Sequence, residues 1–314
     1  MAGALLKSLA DLPAPHLVDG DTRLSSTDVA ARADEMATQL TADAYHPFVA
    51  SSTASSVIAF LACWRARAVA SPLHSRLTER EQVALRERVL ALPAEPGLGV
   101  VLATSGSSGR PKLVRHTSAA LAYKARLMAD VHALNSDDVV LMPAPLAHVS
   151  GLLNGILLPG AAGMKTVLME RWSAADALEL IQREGVTFMI GPPTYFVQMM
   201  ATPGFSPERL SSVRLISCGG AGVDSGFAKR AADAFGAVVK RTYGSTEAPT
   251  VTTSYAGDPP ERGWTSDGRP VGDVELRVDA ETGEFGTRVR AFRRIRRPTG
   301  NASSLQRGRL VSHW

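Results

Sequence analysis

Thr104-Ser105-Gly106-Ser107-Ser108-Gly109-Arg110-Pro111-Lys112 is the stretch on which the reading of this chain turns. Two glycines let backbone N–H groups approach an anion closely, Thr104 and three serine hydroxyls add donors, and Lys112 brings a point charge, so the segment has the chemistry of a phosphate cradle. It does not fit G-x-x-x-x-G-K-[ST], because Arg110 and Pro111 separate Gly109 from Lys112. Nor can G-x-S-x-G be aligned on Gly106-Ser107-Ser108-Gly109. Taken alone, the loop also reads as a flexible Gly/Ser connection.

Its surroundings set the fold class. The apolar run Val100 to Ala103 leads into the loop, and a helix-compatible segment begins near Ser118. Ser173 reads as an N-cap with Asp176 three residues on, Ala177, Leu178, Leu180 and Ile181 fall on one side, and Gly185 is a natural stop. Val186–Ile190, Val213–Ser217 and Val238–Thr242 read as short buried strands, the last two running into Cys218-Gly219-Gly220-Ala221 and Tyr243-Gly244. Such alternation predicts an α/β architecture with mostly parallel sheets, whose ligand sites collect where strand ends open into loops. Leu90 to Gly97, with Pro93 and Pro96, reads as a linker.

A second segment, Lys240-Arg241-Thr242-Tyr243-Gly244-Ser245-Thr246-Glu247, sits at one of those strand ends. A tyrosine face there can stack on a purine, while a hydroxyl and a carboxylate hold a phosphate oxygen and its Mg²⁺. An ordinary strand-to-turn junction is the other reading.

Together the two segments resemble the phosphate loop and the adenine and magnesium motif of the adenylate-forming superfamily of acyl-CoA synthetases, luciferases and peptide-synthetase adenylation domains. Pro145-Leu146-Ala147-His148 resembles the segment whose His lines the acyl pocket, and Cys218-Gly219-Gly220-Ala221 resembles the glycine turn between adenine and acyl group. Gly268-Arg269-Pro270 with Val274, Leu276 and Val278 resembles the next motif in order. Gly151 to Met169 and the helix after Ser173 look most like fatty-acid and alicyclic-acid CoA ligases. The chain departs from the pattern at Leu113, where the family usually has Gly, and at Asp267 and Asp273, where small or apolar residues are more usual; Leu77 to Thr104 is also shorter than typical.

The resemblance implies stacked α/β subdomains with a β-rich, distorted-barrel part. We expect a shortened N-terminal α/β subdomain over 1–96, a nucleotide- and acyl-binding subdomain over 97–250, the start of a β-rich subdomain over 251–284 and a basic tail over 285–314. It also implies ATP, Mg²⁺ and coenzyme A as reactants and cofactor, with a small carboxylic acid as substrate. By resemblance, Thr104, Ser105, Gly106, Ser107, Ser108, Gly109 and Lys112 hold the β- and γ-phosphates, and Tyr243 and Gly244, with Gly220 and Ala221, lie along the nucleotide. Thr246 touches the α-phosphate, Glu247 binds Mg²⁺, and His148, Gly219 and Gly220 border the acyl group. Without the family context, His148 reads equally well as a polar surface or capping residue.

Composition frames these expectations. The chain has 314 residues, 45% of them hydrophobic and 20% charged, with a net charge of +4. Eight arginines and no acid lie in 285–314, which leaves 26 basic against 30 acidic residues in the body, so the basicity gives no reason to expect a nucleic-acid partner. Cys63 and Cys218 lie in apolar stretches, too few for a disulfide framework, and point to a reducing, cytoplasmic setting. Gly151 to Met169 is interrupted by Asn154, Pro159, four glycines and Lys165, which makes it poor as a spanning helix.

The family continues past Glu284 with a G-Y element, a D-G-W-x-x-T-G-D segment whose Asp grips the ribose, a hinge, and a C-terminal domain carrying a catalytic lysine. Residues 308–314, written with the permitted codons GGA CGG CTG GTT TCA CAC TGG TGA, read D-G-W-F-H-T-G-D one nucleotide forward if a pyrimidine follows; Phe292 to Ile295 likewise permits F-A-G-Y. We therefore expect 285–314 to be out-of-frame translation of a longer ligase gene, which the coding DNA would decide. The rival is a genuine basic tail that binds nucleic acid or an anionic membrane. On the first reading ATP binding is weak and adenylation slow. A non-catalytic nucleotide- or acyl-binding remnant, and a domain completed by a partner that supplies the C-terminal part, are the other functional readings.

Overall fold

The computed structural model describes residues 6–104, 111–278 and 285–289, the stretches 277–278 and 285–289 by backbone alone. Residues Ser105 to Arg110 and 290–314 lie outside the described residues, and with them most of the basic tail.

The strands along the chain are β1 (His16–Asp19), β2 (Thr22–Leu24), β3 (Tyr45–Ala50), β4 (Val69–His74), β5 (Leu98–Thr104), β6 (Lys112–Thr117), β7 (Val139–Met142), β8 (Lys165–Leu168), β9 (Phe188–Gly191), β10 (Leu215–Gly219), β11 (Val238–Tyr243), β12 (Thr252–Thr253), β13 (Arg269–Pro270), β14 (Val274–Val278) and β15 (Phe285–Val289). Nine of them form one sheet in the order β13-β12-β11-β10-β9-β7-β8-β1-β2, and four form a second, β3-β4-β5-β6. Both are parallel in the middle. Antiparallel partners sit at the edges, where β2 returns on β1, β6 on β5 and β12 on β11.

Alternation along the short central strands explains the layering. Val140, Met142 and Leu215 point into one apolar cluster, and their neighbours Leu141, Ile216 and Cys218 into another on the opposite face. The second cluster is covered by helices Ala174–Glu184, Pro193–Ala201 and Ser225–Phe235. The first is shared with the smaller sheet, because Ala70, Val100 and Leu102 enter it together with helices Ala54–Arg65 and Ser118–His132. Two sheets thus sandwich a common helical layer, the stacked arrangement expected from the motifs.

The apolar run Gly151 to Met169 is a buried helical segment over 149–162, π-helical at Leu153–Leu157, followed by β8. No described helix is long and apolar enough to cross a membrane. β14 pairs antiparallel with β15, whose residues Phe285–Val289 open the arginine-rich stretch.

Candidate functional site

β5 and β6 pair with Thr104 opposite Lys112, so the serine- and glycine-rich loop joins two strands at their ladder end. Ser105, Gly106, Ser107, Ser108 and Gly109 themselves lie outside the described residues. Along β6 the side chains alternate, which puts Lys112, Val114 and His116 on one face. His116 is buried, and its Nε2 lies 2.8 Å from the carbonyl oxygen of Thr246. Lys112 projects from that same face about 13 Å nearer the loop, at ~3.3 Å per residue, and its side chain is exposed. The strand leaving the first motif therefore touches the second.

The second motif begins at the end of β11. Tyr243 and Val251 close its neck, the Val251 N–H donating to the Tyr243 carbonyl at 2.7 Å. Gly244 is required there: a Cβ on it would fall 2.4 Å from the backbone nitrogen of Thr250. Within the loop the Ser245 N–H donates to the Ala248 carbonyl at 3.1 Å and the Ala248 N–H to Ser245 Oγ at 3.2 Å. Glu247 is exposed at the tip and makes no ion pair among the described residues.

Below the loop, Lys124 of helix Ser118–His132 is 3% exposed and donates its Nζ–H to the Thr250 carbonyl at 3.0 Å. Burial pulls its pKa down to about 8. Burial likewise lowers that of His116, against the opposing pull of its Thr246 hydrogen bond and the Glu247 charge.

On the neighbouring strand, β10 ends at Gly219, held beside Thr242 of β11 by the parallel ladder, and Gly220 and Ala221 are exposed beyond it. His148 stands before the helical segment 149–162, following the loop after β7, and its ring meets that of His74 edge to face at 5.0 Å. His74 ends β4 of the other sheet and accepts the Arg76 N–H on Nδ1 at 3.0 Å. Partial desolvation, and then the charge of Arg76, hold His148 below the ordinary imidazole range. Tyr195, at the start of the helix after β9, stacks on Trp172 at 4.0 Å and also feels the Arg76 charge. C-terminal strand ends of both sheets therefore converge, as ligand sites in α/β folds do.

The AMP-binding enzyme family matches residues 93–288. This chain belongs to the AMP-binding enzyme family. Its matched span ends four residues beyond Glu284. The medium-chain fatty-acid–CoA ligase of Escherichia coli (strain K12) is 32% identical over 186 residues, covering 58% of this chain and 32% of that enzyme. The indoleacetate–CoA ligase of Aromatoleum aromaticum is 30% identical over 198 residues, 62% of this chain and 39% of that enzyme. The chain thus spans about a third of the length of the curated ligases it matches. ATP-bound MatB from Rhodopseudomonas palustris shares the fold, with a TM-score of 0.77 at 20% identity over 90% of this chain and 68% of that one.

In this member of the family the described strand ends bring Thr104 and Lys112 to one edge, with the Thr246 and Glu247 loop fastened to the same strand by His116. Gly219 and Gly220 follow β10, directly beside the strand that carries Tyr243. His148, beyond the end of β7, pairs with His74. Sequence reasoning missed His116, Lys124, His74 and Tyr195. The first two act on main-chain carbonyls, which no side-chain motif reports. Asp267, a departure from the family pattern, holds Arg241 of β11 at 2.8 Å.

Proposed function

We propose that the chain activates a carboxylic acid with ATP and then serves its transfer to coenzyme A. A carboxylate oxygen attacks the α-phosphorus, the bond from that phosphorus to the bridging oxygen breaks, and pyrophosphate leaves an acyl-adenylate. The thiolate of coenzyme A then attacks the acyl carbon and releases AMP. The observation that carries this reading is the His116–Thr246 bond, which joins the strand leaving the phosphate loop to the loop bearing Glu247.

On this reading Thr104, Ser105, Gly106, Ser107, Ser108, Gly109 and Lys112 supply donors to the β- and γ-phosphates, where charge builds as pyrophosphate departs. Tyr243 packs on adenine, and Thr246 donates to the α-phosphate. Among the described residues no cluster of three or more His, Cys, Asp or Glu could hold a metal by itself. The exposed Glu247 carboxylate fits a Mg²⁺ whose remaining ligands are phosphate oxygens and waters, as that ion prefers. When bound, the ion neutralises phosphate charge. His148 with Gly219 and Gly220 borders the acyl group, and the relatives' substrates support a fatty or aromatic acid. Two buried thiols, both with pKa values pushed up to about 12 chiefly by burial, suit a reducing cytoplasm.

Pyrophosphate release is measured with a panel of carboxylic acids. Lys112→Ala and Glu247→Ala should each lower release at least about a hundredfold. Release unchanged in both variants sinks the assignment.

A further inference from the structure

In the loop that carries Thr246 and Glu247, two carbonyls are held by side chains from outside. Both donors come from one short piece of chain. His116 on β6 reaches the Thr246 carbonyl near the tip, at 2.8 Å, and Lys124, eight residues later on the following helix, reaches the Thr250 carbonyl at the base, at 3.0 Å. Thr250 adopts φ +46°, a left-handed conformation that costs a threonine about 1 kcal/mol or more and persists only where the surroundings impose it. The turned peptide presents its carbonyl to the buried ammonium.

We infer that His116 and Lys124 are positioning residues that hold the Thr246–Glu247 loop in its nucleotide-ready shape, an inference that rests on the ATP reading above for its purpose and on geometry for its substance. A packing role alone is served better by an apolar side chain, since burying an ammonium with one carbonyl partner is unfavourable. A neutral His116 must carry its proton on Nε2 to donate to a carbonyl, so the Thr246 contact also fixes the tautomer. Removing either donor leaves a carbonyl without its partner and frees the loop at one of these two side-chain attachments.

Hydrogen exchange on the full chain without nucleotide tests the clamp. In Lys124→Met and in His116→Phe, amides of 244–251 should exchange at least about tenfold faster while those of β9 and β10 keep their rates. Equal loop rates in wild type and both variants overturn the inference, whether or not any nucleotide binds. Binding of Mg·ATP and of adenosine then separates positioning from general damage. Lys124→Met should weaken Mg·ATP about tenfold and leave adenosine unchanged, and His116→Gln, which keeps an N–H donor, should bind Mg·ATP within about threefold of wild type where His116→Phe does not. Equal weakening of both ligands, or none, overturns it. Wild type that binds neither ligand refutes the ATP reading and leaves the exchange rates to decide the clamp.

Discussion

His132 is where burial bears hardest on a single side chain. It ends helix Ser118–His132, its ring lies 5.8 Å from that of Phe188, and its Nδ1 is 3.5 Å from Lys240 Nζ. Burial first, then the Lys240 and Arg214 charges, push its pKa from 6.5 to about 3. Between those values the unfolded chain takes up a proton that the folded chain refuses, so stability falls as pH drops below 6.5, by at most about 1.4 kcal/mol per pH unit. Asp138 and Glu184 are depressed carboxylates, whose contribution is lost only nearer pH 4, which leaves pH 6.5 to 5 to the histidines. His132→Phe should therefore flatten the fall in Tm between pH 7 and pH 5, followed by circular dichroism; a slope equal to wild type would show that His132 is not the cause. Thr104, Lys112, Thr246 and Glu247 could be named as candidates from the sequence because they sit in short windows of phosphate- and metal-binding residue types. His116 and Lys124 were not, since each answers a carbonyl 130 or 126 positions away.

At the scale of elements, strand starts shifted for one physical reason. Val186–Ile190 and Val213–Ser217 read as strands, and the ladders begin later, at Phe188 and Leu215. Thr187 and Arg214, immediately before those strands, instead converge on Asp138 before β7: Thr187 Oγ1 donates at 2.6 Å, and Arg214 donates through Nε and Nη2 at 2.8 and 2.6 Å. A buried carboxylate thus gathers the N-terminal ends of three neighbouring strands, a long-range network that apolar periodicity cannot report. Asp138→Ala should cost about 1–3 kcal/mol in chemical denaturation, because it takes the acceptor from the Thr187 hydroxyl and the Asn135 N–H, and leave nucleotide affinity unchanged, since the site lies at the other strand ends. Loss of affinity would mean that the two ends are coupled. Gly219 makes the complementary case at the site end. A Cβ there would fall 2.4 Å from the Thr242 carbonyl oxygen, so Gly219→Ala must part β10 from β11; about 1–3 kcal/mol of stability and most nucleotide binding should go, read by denaturation and calorimetry, and retained binding would place the nucleotide elsewhere.

Among the described residues one apolar cluster is shared by both sheets, and the candidate site draws on strand ends from each: β5 and β6 on one side, β10 and β11 on the other. A ligand that contacts both sides favours only the conformation in which they are docked, so binding should raise the stability of the unit as a whole rather than of one sheet. With Mg·ATP at a concentration equal to its Kd the gain is about 0.4 kcal/mol, and at a hundred times Kd about 2.7 kcal/mol. A single melting transition should then move little at Mg·ATP concentrations below Kd and climb with the logarithm of concentration above it. Glu247→Gln should remove most of the Mg²⁺-dependent part of that climb. Two transitions, only one of which responds to nucleotide, would instead show that the sheets melt independently and that the site belongs to one of them.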